Sequence, residues 1–153
     1  MRKFEKISFE QFTKDINSDK NLYQSDFLPK RSSKNSAGYD FFLLEEITLK
    51  PKEKKVIPTG IKARMQPDEF LMLTIRSSIG FQYRMCFSNT IGIIDADYYN
   101  NPKNEGHIFV SLENQGDQIF YGKKGDKVFQ GIFMKYLTEE DHPEKERTSW
   151  SYL

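Results

Sequence analysis

Leu71-Met72-Leu73-Thr74-Ile75-Arg76 sets an aliphatic side chain at every second position and interleaves Met, Thr and Arg. That period of two belongs to a strand with one buried face, because successive side chains of extended backbone point to opposite sides. Working outward, Ile61-Lys62-Ala63-Arg64-Met65 alternates in the same way, and Ile108, Val110 and Leu112 alternate with Phe109, Ser111 and Glu113. Val128 to Leu137 carries apolar residues on both faces, as expected where a sheet is covered on both sides. Turn signals punctuate these runs at Lys50-Pro51, Pro58-Thr59-Gly60, Gln66-Pro67-Asp68, Asn114-Gln115-Gly116-Asp117 and Lys124-Gly125-Asp126. Short strands at such spacing predict an all-β sandwich, jelly roll or barrel. Phe9, Phe12 and Ile16 have helical spacing and predict one short N-terminal helix.

The remaining bulk properties narrow the class. A chain of 153 residues is long enough for one domain with its own core. Its 13 Phe and 8 Tyr suit a pleated surface. Lys and Arg total 23 against 22 Asp and Glu, so no basic excess points to nucleic acid. The single cysteine, Cys86, has no intramolecular partner and lies in an apolar run, where a buried thiol is expected. With no apolar stretch of signal-peptide or membrane-span length, the expectation is a soluble, cytoplasmic protein that binds no membrane. We treat residues 1–153 as one domain, with 1–27 as an N-terminal extension and 138–153 as a charged tail. Asn100 to Gly106 reads as an exposed loop insertion.

Four polar clusters interrupt the strands. Ser36-Ala37-Gly38-Tyr39-Asp40 reads as a turn entering a strand. Arg76-Ser77-Ser78-Ile79-Gly80 offers a guanidinium fork, two hydroxyls and backbone N–H groups to an oxyanion, or else Ser77 or Ser78 simply caps a helical turn. Gly92-Ile93-Ile94-Asp95-Ala96-Asp97-Tyr98 joins two carboxylates and a ring, yet alone it is compatible with an ordinary polar turn. In Gly125-Asp126-Lys127-Val128-Phe129-Gln130, the amide of Gln130 sits within an apolar strand and needs partners.

In this order and spacing, the clusters resemble four of the five motifs of the homotrimeric all-β dUTP pyrophosphatase (dUTPase) family, and Asn89 joins the third of them. Pro58-Thr59-Gly60-Ile61 is similar to a further family turn, and the likeness runs from Leu28 to Met134. The resemblance implies a jelly-roll or β-clip fold assembled as a homotrimer with shared active sites. It also implies hydrolysis of dUTP to dUMP and pyrophosphate, which limits uracil in DNA and supplies dUMP. Asp95 would be the general base for water, and Tyr98 would pack on the deoxyribose and exclude a 2′-hydroxyl. Asn89 and the backbone from Ile91 to Ile94, Gly92 and Ile94 included, would read the uracil. Arg76, Ser77 and Ser78 would hold phosphates. Asp40 and Gln130 would reach Mg²⁺ through its waters, the ion being held mainly by substrate phosphates.

Three departures from the family pattern stand out. Tyr98 is followed by Tyr99-Asn100 and the insertion, which enlarges a hairpin beside the expected base pocket. Ile79-Gly80 replaces the usual Leu-Ala. The fifth motif, an Arg followed by a Gly-rich tail with a Phe, survives only as Arg147; either Trp150 would replace the Phe as a stacking lid with Arg147 on the γ-phosphate, or the tail packs on a neighbouring subunit or is disordered. Two rival functions follow. A dCTP deaminase is disfavoured, because the residue three before Asn114 is Ser111 rather than Glu, and Glu113 lies in the other register. A catalytically weak, nucleotide-binding regulatory member is the alternative that the altered tail permits. His107 and His142 are too isolated to indicate a zinc site.

Overall fold

The chain is described from a computed structural model covering residues 1–140 and 145–150. Its elements run, in order, β1 (Lys3–Lys6), α1 (Phe9–Asp15), α2 (Lys20–Gln24), β2 (Lys30–Arg31), β3 (Tyr39–Phe42), β4 (Ile47–Leu49), β5 (Lys54–Pro58), β6 (Ile61–Arg64) and β7 (Glu69–Ile75). The second half contains α3 (Ser77–Tyr83), β8 (Met85–Phe87), β9 (Gly92–Asp95), a 3₁₀ turn at Ala96–Tyr98, β10 (Phe109–Asn114), β11 (Phe120–Gly122) and β12 (Lys127–Lys135). A five-stranded antiparallel sheet in the order β2-β3-β12-β7-β9 carries most of the polar clusters. The strands β5-β10-β8 form a second sheet, and the pairs β1-β6 and β11-β4 complete the β-structure. The all-β expectation holds.

The alternation that predicted β7 is realised in burial. Leu71 and Leu73 are buried against the interior, while Met72 and Thr74 lie on the half-exposed outer face. In β12 the run Val128-Phe129 breaks the period, and both residues are buried. A bulge explains this. Phe42 pairs with Lys127 and Asp40 with Gln130, so three steps along β12 oppose two along β3. The extra residue turns two neighbours inward and returns Gln130 to the outer face beside Asp40.

Residues 1–27 are not a loose extension. Ile7, Phe12, Leu22 and Phe27 are all core residues, and β1 zips onto β6 with Phe4 opposite Ala63. Ser8 caps α1 by accepting from the N–H of Gln11 at 3.1 Å, and Asp19 caps α2 through Asn21 and Leu22. Rings of Phe9, Phe12 and Tyr23 then pack edge-on and stacked over the core.

The segment Asn100 to Gly106 is built into the molecule as well. Asn101 and Gly106 are buried, and Asn100, Glu105 and Gly106 all take positive φ. At Gly106 (φ +88°) an added Cβ would meet three backbone atoms at 2.9 Å, so only glycine closes this turn. Glu105 accepts from the backbone N–H and hydroxyl of Ser8, each at 2.6 Å, and pairs with Lys62 at 3.0 Å. The insertion therefore packs on the N-terminal segment. This corrects its reading as an exposed turn.

Behind it, His107 is fully buried. Its Nε2 accepts from the N–H of Gly60 at 2.9 Å, which leaves Nδ1 to donate to Asp15 at 2.6 Å. Burial pushes its pKa below the usual 6.5, although Asp15 acts in the opposite direction. This histidine joins α1, the Thr59-Gly60 turn and β10, and is a structural pin.

Candidate functional site

Two polar centres occupy one face of the large sheet. At one end Asp40, Gln130 and Thr74 form a row across β3, β12 and β7, because they are register partners. Gln130 Nε2 donates to Thr74 Oγ1 at 3.4 Å. Arg76 extends the row beyond β7. Its Nε lies 3.2 Å from Asp40 Oδ1 and its Nη1 donates to the Lys127 carbonyl at 3.2 Å. The Asp40 side chain is only 6% exposed, so removal of Arg76 would leave a buried carboxylate uncompensated. Gly38 leaves room for the Gln130 amide, since a Cβ would fall 2.1 Å from Gln130 Oε1 and would push that side chain aside.

The cradle continues into α3. Arg76 is the N-cap residue, its side chain makes no cap bond, and its carbonyl accepts from Ile79 and Gly80. The capping role considered for Ser77 or Ser78 is thus not taken up. Both serines are exposed at the start of the helix, with their hydroxyls directed to no cap. Together with the guanidinium they offer donors and positive charge to an anion.

At the other end stands Asp95, the last residue of β9 and the register partner of Phe70. Its side chain is 48% exposed on a cleft lined by Met65, Pro67, Ala96, Asp97, Tyr136, Glu146 and Arg147. Arg147 Nη2 donates to Asp95, and Arg147 Nε donates to Asp97 at 2.8 Å. The guanidinium also lies 5.5 Å from the Trp150 ring, which is half-buried against the core. Within a single chain, then, Arg147 engages the two carboxylates. His142 and residues 151–153 lie outside the described residues.

Phe70 and Arg76 are six positions apart, so the backbone beside the carboxylate and the backbone that carries the cradle lie about 20 Å apart along β7. Between them the same face presents Phe70, Met72, Ile93, Ile132 and Met134. Ile93, on the edge strand β9, and Met134, near the end of β12, are each 41% exposed and extend this apolar face to solvent.

The third component is a cavity of about 200 Å³ bounded by Leu73, Phe87, Ser88, Asn89, Gly92, Ile93, Ile94, Phe109, Val110 and Ser111. Gly92 lets β9 approach β7, for a Cβ there would meet Leu73 at 3.0 Å. Asn89 sits on the exposed turn joining β8 to β9, with Thr90 next to it at φ +68°. A β-branched residue in left-handed backbone is strained, and such strain gathers at functional turns. Ile94 contributes backbone here, since its side chain is buried. Ser111 Oγ lies 2.5 Å from Ser88 Oγ in this wall, where a deaminase would need an acid.

Tyr98 closes the turn that follows Asp95. It is 2% exposed; its Oη donates to the His107 carbonyl at 2.7 Å and accepts from Asn104 Nδ2 at 2.8 Å. Burial raises its pKa, against the opposing effects of the Asn104 donor and the Arg147 charge. This hydroxyl anchor is not readable from residue types, because Asn104 belongs to a segment whose composition is that of any loop.

The sheet order, the two polar centres and the asparagine-bearing hairpin cavity define an all-β protein with its polar groups gathered on one sheet face and one hairpin. The comparisons agree. The dUTPase family model matches residues 25–151. A deoxyuridine 5'-triphosphate nucleotidohydrolase from Lactococcus lactis is 44% identical over 124 residues, which is 79% of this chain and 83% of that protein. A dUTPase crystal structure from Streptococcus mutans superposes with a TM-score of 0.72 at 40% identity, covering 90% of this chain and 98% of that one. A phage phi11 dUTPase described with a structural Mg(II) ion shares the fold, with a TM-score of 0.69 at 20% identity over 95% of this chain and 97% of that one. The chain belongs to the dUTPase family.

Proposed function

We propose that this protein hydrolyses dUTP to dUMP and pyrophosphate at sites completed by neighbouring copies of the chain. The observation that carries the reading is the half-exposed carboxylate of Asp95, at the end of the same strand, β9, that lines a base-sized cavity bearing Asn89. Asn89 and the backbone of the turn into Gly92 would hydrogen-bond the uracil edge. Tyr98 would form the wall at the sugar, and contact there requires its ring, 2% exposed in the single chain, to be uncovered on binding. Asp95 would accept a proton from the attacking water, a role worth about 10²–10⁴ in rate. Arg76, Ser77 and Ser78 would hold phosphate oxygens in a fixed geometry, so that charge developing on them meets donors already in place.

A backbone separation of about 20 Å between the Asp95 and Arg76 positions within one chain exceeds the reach of a triphosphate nucleoside bound at either end alone. Supplying the cradle from a second copy removes this difficulty, and the apolar face between the two centres is the surface such a copy would cover. These features support a trimer with shared sites.

Mg²⁺ fits the donor chemistry. Among the described residues no group of three His, Cys, Asp or Glu forms a closed metal cage, and Mg²⁺ characteristically binds through few protein oxygens, several waters and substrate phosphates. Asp40 and the amide oxygen of Gln130 are the hard-oxygen donors next to the cradle. When bound, the ion would neutralise phosphate charge. Asp40 also orients Arg76 through their ion pair, and Gln130 is held in turn by Thr74. Among the described residues no helix is long and apolar enough to cross a membrane, and a cytoplasmic site of action belongs to this proposal.

Asp95→Asn tests the base. The variant should retain dUTP binding and lose at least ~10² in kcat. Normal turnover would show that another group activates the water.

A further inference from the structure

The loop from Asn100 to Gly106, an addition to the family pattern, is organised around a single side chain, Tyr98. Asn101 Nδ2 donates to the Tyr98 carbonyl at 2.8 Å, and Asn104 Nδ2 donates to the Tyr98 hydroxyl at 2.8 Å. The same two asparagines are joined to one another, Asn101 Nδ2 to Asn104 Oδ1, at 2.8 Å. Both ends of the tyrosine are therefore held by one small loop. The orientation of the Asn104 amide is fixed, because Oδ1 also accepts from the backbone N–H of Gly106 at 3.1 Å, which leaves Nδ2 as the donor to the phenol. The Tyr98 hydroxyl donates to the His107 carbonyl at 2.7 Å.

The loop is in turn tied to the body of the molecule. Glu105 is bound by Ser8 and Lys62, and Lys62 also donates to Asn100 Oδ1 at 2.7 Å. Tyr99 Oη donates to Glu5 at 2.6 Å. The Tyr98 ring follows Asp95 by three residues and is pinned at its hydroxyl by a donor within the insertion and an acceptor just after it. Its tilt is set at the end far from the backbone, where a small displacement moves the ring face most.

We propose that Asn104 is a positioning residue that sets the rejection of a 2′-hydroxyl by fixing the Tyr98 ring. This rests on the reading of Tyr98 as the sugar wall. A ribonucleotide differs from a deoxyribonucleotide by one oxygen, so exclusion depends on a wall that does not yield. Without the Asn104 donor the hydroxyl loses one of the bonds that set the ring's tilt, and the wall yields to UTP more than it changes for dUTP.

The test is the ratio of kcat/KM for dUTP to that for UTP, measured in the wild type, Asn104→Ala, Tyr98→Phe and the double variant. This ratio does not depend on how much of a preparation is folded, so simple destabilisation leaves it unchanged. Asn104→Ala should lower the ratio roughly two- to tenfold, the scale of one neutral hydrogen bond, with kcat for dUTP largely kept. In the Tyr98→Phe background the same substitution should add nothing further. Asn104→Asp keeps the acceptor bonds from Gly106 and Asn101 but turns the donor to Tyr98 into an acceptor that competes with the His107 carbonyl for the phenolic hydrogen, so the paired donor and acceptor on the hydroxyl are still broken, and it serves if Asn104→Ala does not fold. A selective wild type whose ratio survives these substitutions overturns the role of Asn104 alone, as does an undiminished effect in the Tyr98→Phe background. A wild type that hydrolyses dUTP but accepts UTP equally overturns the sugar-wall reading and the inference with it.

Discussion

Replacing His107 with alanine should cost about 3–5 kcal/mol and should do so in a pH-dependent way. The magnitude follows from its surroundings. The ring is fully buried, lies 4.4 Å from the Phe109 ring centroid, accepts from the N–H of Gly60 and donates to Asp15. Alanine leaves the Gly60 N–H without an acceptor, worth about 1–3 kcal/mol, and opens a cavity where a ring had packed, worth a further ~2 kcal/mol. For a chain of this size that lowers Tm by about 10 °C. The pH dependence has a definite sign. Burial holds the folded-state pKa below 6.5, so the unfolded chain takes up the proton more readily. The stabilisation is complete above about pH 6.5 and is lost as the pH falls towards the folded-state value. Denaturant unfolding of wild type and variant, at one fixed protein concentration and at pH 8.0 and 5.5, measures both effects. The difference between the two proteins should be large at pH 8.0 and smaller at 5.5. A difference below about 1 kcal/mol, or one that does not change with pH, would refute the assignment of a buried neutral imidazole.

Other substitutions address separate parts of the account. Gly38→Ala should leave stability nearly unchanged, since Gln130 can swing away, but it should reduce turnover because the amide is displaced from beside Asp40; kcat with unchanged Tm is the diagnostic pair. Gly106→Ala forces a Cβ to within 2.9 Å of three backbone atoms at φ +88° and should destabilise by several kcal/mol, on the order of 2–4, read from the urea midpoint. Deleting residues 146–153 removes Arg147 from Asp95 and Asp97 and should raise KM or lower kcat for dUTP several-fold; unchanged kinetics would take the tail out of the mechanism.

Much of the sheet was legible because its code is local. Leu71, Leu73, Val110 and Leu112 announce their strands through a period of two, and they are buried as that period requires. The pairing of Asp40 with Gln130 was not readable from periodicity. It depends on a bulge that cancels one residue of β12, and a bulge is decided by tertiary packing of Val128 and Phe129. The N-terminal strand was missed for a related reason. Lys3 to Lys6 is mostly charged, and it becomes a strand because β6 offers an edge. The insertion misled most. Asn, Pro, Lys and Gly mark a solvated loop by composition, yet here the asparagine amides satisfy the backbone groups of a tight turn and reach back to Tyr98. Side-chain reach of that kind has no sequence period. At the candidate site the types of residue were readable and their partners were not. Arg147 stood out as the remnant of a tail motif, but its pairing with Asp95 and Asp97 needed coordinates.

The central claim is that Asp95, Asn89 and the Arg76 cradle serve one reaction on one substrate. Pyrophosphate release from dUTP, dTTP, dCTP and UTP, measured in parallel with and without Mg²⁺, tests it most directly. The account predicts Mg²⁺-dependent release from dUTP, far slower release from the other three nucleotides, and no ammonia from dCTP. Absence of pyrophosphate from dUTP, or equal turnover of dUTP and dTTP, would contradict it.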